Sequence, residues 1–81
     1  MRDNLSEIRA FVAVYEEASF TAAARRTGAT QSGISQKVHK LEAKFDVRLF
    51  ERGTRSVKAT PAAHAYYRSC VDVLKRFETA N

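Results

Sequence analysis

Gln31, Ser32, Ser35 and Gln36 lie close together in the chain and are followed by Lys37, His39 and Lys40. On a helix this run sets short hydrogen-bonding side chains at the N-terminal end and cations further along. Glutamine pairs bidentately with adenine, serine donates or accepts, and lysine neutralises phosphate. The chemistry within reach is therefore readout of base edges in a major groove and retention of a phosphate backbone. Ser19, Thr21 and Thr30 stand at expected helix N-termini, where hydroxyl, backbone N–H and helix dipole together hold a phosphate. Helix capping alone is the competing role for each. Lys37, Lys40, Arg52 and Lys58 are the expected phosphate contacts, with Lys44 and Arg48 read as ordinary surface cations. Arg55, between Thr54 and Ser56 at an expected turn, is placed to enter a minor groove, whose narrow A·T-rich form attracts arginine.

Other chemistries find no residues. His39 and His64 are far apart, with no cysteine or carboxylate at ligand spacing, so neither a zinc site nor any cofactor is expected. No nucleophile–base pairing and no phosphate-loop glycine pattern occurs, so an enzyme is not expected.

Eighty-one residues make one domain, and a hydrophobic share of 44% argues against disorder. A single cysteine, Cys70, cannot form an internal disulfide and suits a reducing cytoplasm. No run approaches the ~18–20 apolar residues of a membrane span, and the opening Met1-Arg2-Asp3-Asn4 is not that of a signal peptide. The net charge of +5 is unevenly spread: residues 25–58 hold nine basic and three acidic groups, whereas residues 1–24 are net −2 and residues 59–81 net +1. A polyanion is the natural partner of that middle stretch.

The elements that must position these side chains follow from apolar spacing and capping residues. Leu5, Ile8, Phe11, Val12, Tyr15 and Ala18 recur at threes and fours, predicting a helix capped by Asn4, with Glu7 in a capping box, that ends near Ala18. Ser19 offers the next N-cap, before a short alanine-rich helix stopped by Gly28. Thr30 caps a third helix with Ile34, Val38, Leu41 and Phe45 on its inner face. Two short strands are expected near 48–51 and 56–59, around Gly53-Thr54-Arg55-Ser56. Thr60-Pro61 then opens a helix whose apolar set is Ala63, Tyr66, Tyr67, Cys70, Val73, Leu74 and Phe77.

Helix, glycine turn and helix, with a polar and basic second member, is the helix-turn-helix plan, and Ala24 supplies the small residue its crossing needs. Residues 5–65 also resemble the N-terminal domain of LysR-type transcriptional regulators. The likeness rests on Leu5-Ser-Glu-Ile-Arg-Ala-Phe-Val-Ala-Val, Ala18-Ser-Phe-Thr-Ala-Ala-Ala and Thr30-Gln-Ser-Gly-Ile-Ser-Gln-Lys-Val. It continues through Leu41-Glu42, Val47-Arg-Leu-Phe-Glu-Arg52 and Thr60-Pro61. The resemblance implies a mainly α winged helix-turn-helix over residues 1–59, with three helices and a two-stranded wing, followed by a linker helix over 60–81. It further implies sequence-specific binding of double-stranded operator DNA, recognition helix in the major groove and wing in the minor groove.

In this family the linker helices pair antiparallel into a homodimer that spans an interrupted dyad. That assigns Tyr66, Tyr67, Cys70, Val73, Leu74 and Phe77 to the dimer interface; packing of the same stripe on the first helix is the competing role. The family's effector-binding domain is absent from this sequence, and a small-molecule inducer would act only through it. The competing function is a winged-helix protein-interaction module without specific DNA binding. The sequence departs from the family pattern in three places. Thr30-Gln31-Ser32 replaces the usual Ser-Gln-Pro, so the proline's contact does not carry over to Ser32; Asp46 and Ala63 stand where glycine is usual.

Overall fold

The computed structural model describes residues 2–51 and 57–80. Its first helix, α1 (Arg2–Glu17), carries Ala10, Phe11, Val12, Ala13 and Val14, each at most 5% exposed. Burial on five consecutive positions means that the middle of α1 is covered on every side, and the helix packs against all three other helices. Phe11, with no exposed surface, contributes about 2–3 kcal/mol by burial alone. The helix starts at Arg2, so Asn4 lies inside its first turn and is not the cap expected from sequence. Nor does Glu7 close a capping box: it is 6% exposed, and its carboxylate pairs with Lys44 Nζ at 3.2 Å. Lys44 is therefore an interhelical ion-pair partner and not the ordinary surface cation expected.

Ala18 closes α1 in the left-handed region, at φ 54°, its N–H donating to the Val14 carbonyl. The second helix, α2 (Phe20–Thr27), begins at Ser19, whose Oγ accepts from the Ala22 N–H at 3.0 Å. It ends at Gly28, φ 72°, where the Ala29 N–H reaches back to the Ala24 carbonyl. Ala23 and Ala24 are both buried, and these small side chains let α2 approach its neighbours closely. The third helix, α3 (Gln31–Phe45), is capped by Thr30, whose Oγ1 accepts from the Gly33 N–H at 3.0 Å. Ile34, Val38 and Leu41 anchor it, each at most 2% exposed. Phe45 departs from that stripe: it is 55% exposed and leans on Tyr66 with ring centroids 5.7 Å apart.

Strands β1 (Phe50–Glu51) and β2 (Lys58–Ala59) pair antiparallel, Phe50 opposite Ala59 and Glu51 opposite Lys58. They are shorter than the expected strands, and residues 52–56, including Arg52 and Arg55, lie outside the described residues. The Glu42 carboxylate on α3 accepts from the Leu49 N–H at 2.8 Å and the Phe50 N–H at 3.4 Å, fastening β1 to the third helix. Thr60 performs a similar service for β2. Its hydroxyl donates to the Arg48 carbonyl at 2.6 Å while accepting from the Ala63 N–H at 3.2 Å, which caps α4 (Pro61–Ala80). Ala63 and Cys70 of α4 belong to the same core as Phe11, Leu41 and Phe50. No helix of the described residues is long and apolar enough to cross a membrane.

Candidate nucleic-acid interface

With Ile34, Val38 and Leu41 turned into the core, the opposite face of α3 carries Ser32, Gln36, His39 and Lys40, all exposed. Gln31 is exposed at the head of the helix, and Ser35 and Lys37 are half-buried on its flanks. All the residues expected to meet a base or a phosphate from this helix therefore reach solvent. His39 lies on the same exposed face, as expected from the sequence. Its spacing of three from Gln36 and seven from Ser32 places it on that face from sequence alone. Gly33 is part of the same construction, because a Cβ there would meet Thr30 Oγ1 at 3.0 Å and crowd the cap.

The N-termini of α2 and α3 carry their hydroxyls in different states. Ser19 and Thr30 accept backbone N–H groups, which leaves each O–H to donate outward. The Thr21 hydroxyl instead donates to Gln31 Oε1 at 3.0 Å. Lys40 of α3 and Lys58 of β2 are exposed cations. Arg26 faces away from it, bound to Glu16 at 2.7 Å and Glu17 at 3.3 Å across the α1–α2 turn. The Glu16 hydrogen bond raises the guanidinium pKa above its ordinary value.

The stripe assigned to a dimer interface divides in two. Cys70 is 2% exposed, and burial pushes its thiol pKa upward. Tyr66 is half-buried against Phe11, at 5.2 Å between centroids, and burial with Cys70 beside it raises its pKa as well. Tyr67 stacks on Tyr15, and Leu74 packs against the core. Val73 and Phe77, one helical turn apart, are each 47% exposed. Among the described residues no three His, Cys, Asp or Glu side chains group where they could hold a metal ion.

A helical body with a polar, exposed third helix, completed by an antiparallel strand pair, defines a winged helix-turn-helix DNA-binding domain. Residues 5–64 match the family described as bacterial regulatory helix-turn-helix protein, lysR family, and the chain belongs to that family of transcription regulators. It is 39% identical over 74 residues to the HTH-type transcriptional regulator BenM of Acinetobacter baylyi, covering 91% of this chain and 24% of BenM. It is 44% identical over 68 residues to the HTH-type transcriptional activator AaeR of Escherichia coli, covering 84% of this chain and 22% of AaeR. The crystal structure of the BenM DNA-binding domain with benA site 1 DNA matches at a TM-score of 0.89 and 38% identity. That match covers 94% of this chain and 85% of the other. The chain thus spans about a quarter of the length of the curated relatives it matches.

Proposed function

We propose that this chain is the sequence-specific DNA-binding part of a LysR-type transcriptional regulator, a cytoplasmic bacterial protein that binds operator DNA as a homodimer. The observation that carries the reading is the exposed face of α3, held out by three buried side chains on its opposite side. Gln31, Ser32, Ser35 and Gln36 read base edges in the major groove. Ser19 and Thr30 donate to phosphates at the N-termini of α2 and α3, where the helix dipoles favour the anion. Lys37, Lys40, Arg52 and Lys58 neutralise the backbone, and Arg55 enters the minor groove. The BenM domain, crystallised with DNA, is a relative of matching fold and supports this reading.

Residues 1–59 bind DNA in this account, and residues 60–81 pair two protomers through the exposed Val73 and Phe77, with Leu74 and Tyr67 beside them. Any inducer acts through a domain outside this sequence. Binding measured against salt concentration tests the central part. About six to eight phosphate contacts make the association constant fall log-linearly, by about five to seven decades per tenfold rise in salt. A salt-insensitive association, centred on the Tyr66–Phe77 stripe, would instead make the chain a protein-interaction module.

A further inference from the structure

Thr21 lies in the first turn of α2 and Gln31 opens α3, yet the Thr21 hydroxyl donates to Gln31 Oε1 at 3.0 Å. A glutamine carboxamide has one accepting and one donating end, and holding the accepting end toward Thr21 turns the donating end outward to a ligand. With Oε1 held, the two hydrogens of Nε2 are what Gln31 offers to DNA. We propose that Thr21 is a positioning residue that fixes this polarity, so that Gln31 selects guanine or thymine, whose groove edges carry acceptors and no donor, over adenine or cytosine.

The inference rests on the base-reading role of Gln31 proposed above. It follows from the major-groove pattern. Guanine presents N7 and O6 and thymine presents O4, all acceptors, whereas cytosine presents an amino donor. Adenine sets an acceptor beside a donor, and its bidentate pairing with glutamine needs Oε1 and Nε2 turned to the base together, an orientation that the Thr21 bond opposes. Both side chains are exposed, so the arrangement serves the surface and not the core. The Thr21 proton cannot serve Gln31 and a phosphate together, which sets this threonine apart from Ser19 and Thr30.

A duplex selected from random DNA by the wild-type chain, with each position then varied through all four bases, is the probe. The position read by Gln31 is the one where Gln31→Ala removes discrimination. There the wild-type chain should bind guanine or thymine better than adenine. Thr21→Val, which keeps the branched shape and loses the hydroxyl, should move that ratio at least about fivefold toward adenine, and Thr21→Ser should restore it. In the free protein, the Gln31 side-chain amide should become more mobile in Thr21→Val by 15N relaxation.

A uniform loss of affinity in Thr21→Val, with the base ratio and amide mobility unchanged, would overturn the proposal and make Thr21 a phosphate contact. A wild-type preference for adenine or cytosine at that position would also overturn it, because the amide would then be presenting its oxygen. If Gln31→Ala removes no discrimination at any position, the base-reading role itself fails. That result is distinct from a Gln31 that discriminates without help from Thr21.

Discussion

Tyr15 stacks on Tyr67 with ring centroids 3.9 Å apart and planes 11° from parallel, joining α1 to α4 face to face. The two rings are tied in at their edges. The Tyr15 hydroxyl is hydrogen-bonded to His64 Nδ1 at 2.7 Å, and Tyr67 donates to Glu16, which holds Arg26 of α2. One end of the molecule thus connects three helices through a single aromatic and polar cluster. The direction in which α4 leaves the body is fixed relative to α3 through α1. Tyr67→Ala should cost about 1–2 kcal/mol through loss of the stack, and Tyr67→Phe less than half as much. Urea denaturation midpoints of the two variants make the comparison, and equal losses would mean that the hydroxyl matters more than the ring.

The same cluster gives stability a pH dependence at both ends. The hydrogen bond from Tyr67, helped by Arg26 and opposed by burial, holds the Glu16 carboxyl below its ordinary value. That contribution is present above the ordinary carboxylate range and is lost as pH falls through the lowered folded value. The same bond pushes Tyr67 up to about 12, so its contribution is complete below the ordinary phenol value of 10.0 and is lost as pH climbs to about 12. The bond between the two groups is exposed to solvent, so each effect should stay below about 1 kcal/mol. Tyr67→Phe should flatten part of the alkaline edge and weaken the acid edge. Tyr66 and Cys70, raised chiefly by burial, retain the remainder of the alkaline one. Urea midpoints collected across the pH range read both edges.

Among the described residues two non-glycine residues occupy the left-handed region: Ala18 at φ 54° and Asp46 at φ 51°. Asp46 closes α3, where the Val47 N–H returns to the Glu42 carbonyl at 3.0 Å, and this geometry accounts for the glycine usual there. Ala18→Gly should raise stability by roughly 0.5–1 kcal/mol, the relief of the left-handed alanine outweighing the entropy added to the unfolded chain. Asp46→Gly should gain less, because aspartate tolerates this region better than alanine. Calorimetric melting temperatures should follow that order, and the reverse order would contradict it.

Glu42 holds the start of β1 to the recognition helix by accepting the Leu49 and Phe50 N–H groups. Glu42→Ala leaves the Leu49 donor without its charged acceptor and should cost about 1–3 kcal/mol. Amide hydrogen exchange at Leu49 should accelerate more than at Val38 in the core. Equal acceleration at both positions would point to general destabilisation instead of a released strand.

Where the chain signals itself locally, the sequence was a sufficient guide. Ser19, Thr30 and Thr60 each accept the N–H three residues on, and Gly28 ends α2, because these features depend only on nearby backbone. Asn4 misled for the converse reason: a capping residue type does not stop a helix from starting earlier, and α1 begins at Arg2. Phe45 continues the spacing of Ile34 and Leu41 but lies at the last residue of α3, leaning on Tyr66 with half its surface in water. The Glu7–Lys44 pair and the anchoring by Glu42 need partners that only the folded chain brings near. In the candidate site, spacing placed the α3 residues on one face. The direction of the Thr21–Gln31 hydrogen bond was beyond its reach, since residue type does not say which end of an amide is engaged.

The most direct test of sequence-specific binding by the α3 face is a competition between a duplex selected by the chain and a scrambled duplex of the same composition, at fixed physiological salt. The wild-type chain should prefer the selected duplex by at least about a thousandfold. Ser32→Ala combined with Gln36→Ala should remove most of that preference while leaving the salt slope unchanged, because both side chains are exposed and neither carries charge. Equal affinity for the two duplexes, or a preference that survives loss of both side chains, would contradict the account.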